Sequence, residues 1–134
     1  MSYSKNDLLF APLGGSGEIG MNVNLYHFRD SWIMVDLGIS FPDESTPGVD
    51  VILPDLKFIA DRREKLAGLV LTHGHEDHFG AIPYLWSLIG CPVYGSAFTI
   101  ALLRHKLTES RVELDIPLHE IGMNVPFNLG SFEI

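Results

Sequence analysis

Hydrophobic positions in the first third of the chain fall into short runs separated by glycine-rich or acidic turns. Residues 8–13 are apolar and close on Gly14-Gly15-Ser16-Gly17-Glu18-Ile19-Gly20, while residues 22–28 and 31–36 show strand-like patterning and meet at an Arg29-Asp30 turn. The spacing predicts a meander. Residues 41–54 hold three prolines and several acids, which predicts an ordered surface loop. Beyond it the pattern predicts a helix over 55–65, a buried strand over 66–71 and a helix over 79–88, with Asp77 as its cap and Pro83 near its first turn. A short strand over 91–95 follows, then a helix over 96–107 capped by Ser96, and strands over 112–121 and 125–134. Helices and strands alternate from residue 50 onward, which predicts an α/β layered fold with no internal repeat or linker.

Composition narrows this modestly. A chain of 134 residues with 46% hydrophobic and 19% charged positions has the make-up of one ordinary globular domain or part of one. The formal charge is −8 and no Lys/Arg run occurs, which taken alone argues against nucleic-acid binding, although bound divalent ions would cancel several carboxylates locally. Cys91 is the single cysteine, so no internal disulfide is expected and a reducing compartment fits. No basic-then-apolar amino terminus or membrane span is evident, which makes the cytoplasm the expected location. The last residues, Phe132-Glu133-Ile134, fall inside an expected strand, so the chain is expected to be part of a longer fold.

The densest chemistry lies in His73-Gly74-His75-Glu76-Asp77-His78, three imidazoles and two carboxylates in six positions flanking an apolar strand. Imidazole nitrogens and carboxylate oxygens suit zinc or a similar divalent ion. If the backbone stays extended past residue 71, His73 and His75 point the same way and can share an ion. A turn from strand into helix then lets Asp77 and His78 address a second ion. Two ions held about 3.5–4 Å apart can clamp a phosphoryl or carbonyl group, which predicts hydrolysis. One such run offers four protein ligands at most, fewer than two ions normally take, so an incomplete set is expected.

Residues 72–86, reading Thr-His-Gly-His-Glu-Asp-His-Phe-Gly-Ala-Ile-Pro-Tyr-Leu-Trp, resemble the metal motif of the metallo-β-lactamase superfamily. Residues 13–22, 35–43 and 48–55 further resemble the ribonuclease J family, of the β-CASP RNA-processing branch, over nearly the whole chain. This resemblance implies the first half of an αββα sandwich, with residues 1–134 as the amino-terminal part of the lactamase domain and the β-CASP and carboxyl-terminal domains absent. It also implies two divalent ions, zinc or manganese, with His73 and His75 as ligands of the first and Asp77 and His78 as catalytic ligands of the second. Asp36 would steady the metal loop by hydrogen bonding. The implied activity is exo- and endonucleolytic hydrolysis of single-stranded, 5′-monophosphorylated RNA, by a protein that self-associates and has no membrane partner. A thioester hydrolase of the same superfamily, expected to lack segments 14–22 and 48–55, and a chain that binds metal weakly without hydrolysing anything are the alternatives.

Other residues carry plainer expectations. The glycines from Gly14 to Gly20 fit a tight turn under the metal site better than a phosphate cradle, since no Lys-Ser/Thr pair follows. Glu76, between ligands, is a weak candidate acid. Ordinary surface or core places are expected for His27, His105 and His119, of which only His119 competes as a further ligand. Cys91, Met21, Met34 and Trp86 are expected to pack inside.

Overall fold

The computed structural model describes residues 3–134. Three strands, β1 (Leu9–Gly14), β2 (Val23–Phe28) and β3 (Ser31–Val35), form the meander as antiparallel neighbours. The β2–β3 turn places Arg29 at φ 47° and Asp30 at φ 64°, the paired left-handed conformation that a two-residue hairpin turn demands. The sheet then continues with parallel strands β4 (Leu66–Val70), β5 (Val93–Gly95) and β6 (Leu118–Glu120), giving the order β1-β2-β3-β4-β5-β6.

Side chains alternate across this sheet. One face carries Val23, Leu25, Trp32, Met34, Leu69 and Val93 into the main core, where helices α3 (Ile82–Ile89) and α4 (Ala97–Glu109) supply Ile82, Ile89 and Leu103. The opposite face, with Ile33, Val70 and Tyr94, is met by a small antiparallel hairpin, β7 (Asn128–Leu129) and β8 (Phe132–Glu133), through Phe127, Leu129 and Phe132. Helices on one side and β structure on the other agree with the expected first half of an αββα sandwich. No helix among the described residues is long and apolar enough to cross a membrane.

Four elements differ from the sequence expectation. The helix expected over 55–65 is a single turn, α1 (Lys57–Ala60), followed by a 3-10 turn at Arg63–Lys65. Asp61-Arg62-Arg63-Glu64-Lys65 has no apolar face to pack, so nothing holds a longer helix together. The helix expected over 79–88 starts earlier and is broken: α2 (Glu76–Phe79) has His75 at its cap position, and Asp77 lies in its first turn. Pro83 cannot donate a backbone hydrogen bond, which helps to separate α2 from α3. Of residues 112–121 only Leu118–Glu120 form a strand. Residues 125–134 fold back on themselves because Gly130, at φ 58°, turns the chain. Ser96 does cap α4, its Oγ accepting from Thr99 N at 3.2 Å.

Cys91 is 3% exposed within the main core, and burial pushes its thiol up to about 12 from 9.0. The unfolded chain therefore releases the proton first as pH rises, and stability must fall between roughly pH 9 and 12. At 1.36 kcal/mol for each pH unit, the loss over that range is on the order of a few kcal/mol. Chemical denaturation of the native chain and Cys91→Ala across that range should show the steeper loss in the native chain.

Candidate metal centre

The metal run lies beyond the carboxyl end of β4, wedged beside the residues that follow β3. Backbone hydrogen bonds fasten it there. Leu37 N donates to His78 O at 2.7 Å, Ile39 N to Glu76 O at 3.1 Å, and Asn22 N to Asp77 O at 2.9 Å. Gly38 N donates to Asn22 O at 3.1 Å, which ties the residues after β3 to the start of β2. This packing leaves no room at Gly38: a Cβ would stand 1.7 Å from Asp77 O.

Asp36 is 3% exposed, with a backbone φ of 63° that a non-glycine residue holds only at some energetic cost. Its carboxylate accepts from Thr72 N at 2.8 Å and from Thr72 Oγ1 at 2.8 Å, and its Oδ2 lies 2.7 Å from His78 Nδ1. Thr72 Oγ1 in turn lies 3.0 Å from His73 Nδ1. Because the Thr72 proton goes to Asp36, the hydroxyl is left to accept from His73 Nδ1. Both His73 and His78 are thereby assigned a proton on Nδ1 and a lone pair on Nε2.

Those lone pairs face partners. His73 Nε2 lies 3.1 Å from His75 Nδ1, and His78 Nε2 lies 3.4 Å from Asp77 Oδ2. With zinc–nitrogen bonds of 2.0–2.1 Å, two ligands on a tetrahedral ion stand about 3.3 Å apart, so each pair has the spacing of one ligand edge. The donor set fits a divalent ion at each pair. The two pairs are close, since the His73 and His78 rings have centroids 4.1 Å apart. Among the described residues, no three His, Cys, Asp or Glu side chains close on a common point. Each pair thus offers two donor atoms, and no third side chain joins either pair among the described residues.

Two neighbours of the pairs had no role assigned from the sequence. Asn22 Nδ2 lies 3.3 Å from both Asp77 Oδ2 and His78 Nε2, and its backbone holds the loop, yet in the sequence only its position after the glycine run marks it. Thr72 relays Asp36 to His73, and its place just before the first histidine was the available signal. The glycine run serves this corner: at Gly15, φ is 82° and a Cβ would lie 2.5 Å from Asn22 Oδ1. It forms a turn beside the site.

Glu76 points away from the ligands, to Lys106 on α4, whose Nζ donates to both carboxylate oxygens at 2.9 and 2.8 Å. That ion pair fixes α2, the helix carrying Asp77 and His78, to α4. Its partial exposure limits the stability at stake to about 1 kcal/mol. Lys106→Met is therefore expected to lower the melting temperature slightly while weakening retention of the ion at Asp77 and His78, with Lys106→Arg restoring retention; chelator competition measures this. His119 instead stacks on Tyr94 at 4.8 Å, and His105 pairs with Glu109 at 3.3 Å within α4. His27 is buried against Trp32, Met34 and Trp86 lie in or against the main core, and Met21 is only half-buried.

Residues 17–131 match the Metallo-beta-lactamase superfamily. Ribonuclease J of Sinorhizobium meliloti is 42% identical over 96% of this chain and 23% of its own length, and ribonuclease J of Mycolicibacterium smegmatis is 50% identical over 79% of the chain and 19% of its own length. Ribonuclease J of Thermus thermophilus is 46% identical over 73% of the chain and 18% of its length. The chain thus spans about a fifth of these relatives. Among solved structures, Rm3 metallo-beta-lactamase superposes with a TM-score of 0.59 at 19% identity, over 92% of this chain and 46% of that one. MIM-2 metallo-beta-lactamase gives 0.58 at 18% identity over 96% and 47%.

Proposed function

The chain belongs to the metallo-beta-lactamase superfamily, and from that premise we propose that it is the amino-terminal part of the lactamase domain of a metal-dependent ribonuclease acting on single-stranded, 5′-monophosphorylated RNA. The observation that carries this reading is the pairing of lone-pair nitrogens and a carboxylate at ligand-edge spacing, with tautomers set by Asp36 and Thr72. The similarity to three ribonuclease J proteins narrows a hydrolytic site to RNA.

His73 and His75 would hold one ion, Asp77 and His78 the other, zinc or manganese in either place. Such ions supply a water acidified toward neutral pH and positive charge for the phosphate oxygens. The protein's own part is positional. Asp36, directly at His78 and through Thr72 at His73, keeps their Nδ1 protons away from the ligand face, and the backbone bonds from Asn22, Leu37 and Ile39 hold the start of α2 so that the two pairs stay adjacent. Zinc sites usually take three or four protein ligands, so the remainder would come from outside residues 1–134, along with a β-CASP domain and the surfaces for RNA and for self-association. By itself the 134-residue chain would then bind ions weakly and hydrolyse little. A cytoplasmic location accompanies this reading.

The test is decay of 5′-monophosphorylated RNA by the full-length protein. The expected result is hydrolysis that stops on chelation and returns with zinc or manganese. A full-length protein inert on RNA but active on a thioester would replace the ribonuclease reading with the other hydrolase class.

A further inference from the structure

At the opposite end of the sheet from the metal run, the β2–β3 turn and the α1–β4 connection enclose a cavity of about 460 Å³. The length of β4, roughly 17 Å at about 3.3 Å per residue, separates it from Thr72. His27 lines it. This side chain is 5% exposed, its Nδ1 has no hydrogen-bond partner among the described residues, and its ring is boxed by Trp32 at 4.6 Å and Tyr3 at 5.9 Å. A buried ring nitrogen left without a partner costs about 1–3 kcal/mol, so the position calls for a group that the protein does not itself provide.

The charges around the cavity indicate which group. Asp30 is approached by Lys5 at 3.6 Å and Lys65 at 3.9 Å, and Asp61 is paired with Lys57 at 2.8 Å. Arg62 stacks on Phe58 and gives one donor to Phe58 O at 2.7 Å; its charge also acts on the nearby Asp61 carboxylate, but its other guanidinium donors make no hydrogen bond among the described residues. Arg63 forms no ion pair among the described residues and lines the same cavity, where Glu64 is the remaining acid. Two adjacent guanidiniums outnumber that one carboxylate, guanidinium forks match the oxygens of a phosphoryl group, and His27 in its Nδ1–H tautomer would add a buried donor.

We propose that this cavity binds a small phosphate-bearing anion, with Arg62 and Arg63 as the charge clamp and His27 as the buried donor. The site lies apart from the metal centre and does not depend on the ribonuclease reading. It is tested by titrating inorganic phosphate, at fixed pH and ionic strength, into the zinc-loaded full-length protein while the histidine ring signals are followed by NMR. His27→Phe identifies the His27 signal, and the signal of His73 reports the metal centre separately. A saturable shift at His27, with affinity reduced about tenfold in Arg62→Gln/Arg63→Gln, supports the proposal. A second arm with a nucleoside 5′-monophosphate separates the sources: tighter binding than phosphate identifies a nucleotide site, and equal binding a site for the phosphate group alone. An unmoved His27 signal, the same shift with chloride, or undiminished affinity in the double variant overturns it.

Discussion

Asp77→Ala in the full-length protein is expected to lower RNA hydrolysis by roughly 10³-fold or more, about 4 kcal/mol in the barrier, without unfolding the domain. Asp77 is the carboxylate of the pair proposed to hold the second ion, 3.4 Å from His78 Nε2. Its side chain is partly exposed and takes no part in the main core. The position of α2 rests on the Asp77 carbonyl, which accepts from Asn22 N and survives the substitution. The measurement is initial rate on 5′-monophosphorylated RNA at saturating metal, with a melting curve alongside. Activity within tenfold of the native protein would remove Asp77 from the ion-holding set.

The second large effect is structural. Gly38→Ala places a methyl group 1.7 Å from Asp77 O, 2.1 Å from Asp77 C and 2.8 Å from His78 N, all backbone atoms that cannot rotate away. Either the start of α2 moves off Leu37 and Ile39 or the domain loses about 3 kcal/mol, a fall of roughly 10 °C in melting temperature. In both cases the two ligand pairs separate and metal retention drops. Gly48→Ala is the contrast: Gly48 sits at φ 80° with nothing within 4 Å of its added carbon, so only backbone strain of about 1 kcal/mol is expected. Thermal melts of the two variants should differ clearly. Equal losses would mean that the contact at Gly38 does not matter.

These two residues also mark what could be read without coordinates. The run His73 to His78 announces its chemistry because its ligands are neighbours in sequence, and the strands of the meander follow from local patterning. Gly38 and Asn22 were invisible as functional positions for the converse reason: they meet Asp77 across 39 and 55 residues of chain, and no local pattern encodes such a contact. Asp36 was suggested by resemblance, but its left-handed backbone and its reach to His73 through Thr72 depend on where β4 ends relative to β3. The misread elements share another cause. Residues 61–65 lack an apolar stripe, and Gly130 reverses a strand that hydrophobicity alone would continue; in both, backbone geometry and tertiary packing overrode the local signal.

Lys106 and Cys91 show the fold serving the site at two distances. Lys106 holds α2 through Glu76, next to the ligands. Cys91 only fills the core beneath α3, where Trp86 Nε1 donates to its carbonyl at 2.8 Å.

His73 with His75, and Asp77 with His78, are each proposed to hold one ion. Counting bound metal per chain by mass spectrometry under non-denaturing conditions, in the full-length protein and in His75→Ala and Asp77→Ala, tests it most directly. Two ions are expected in the native protein and one in each variant. Two ions retained in either variant, or none in the native protein at saturating zinc or manganese, would contradict it.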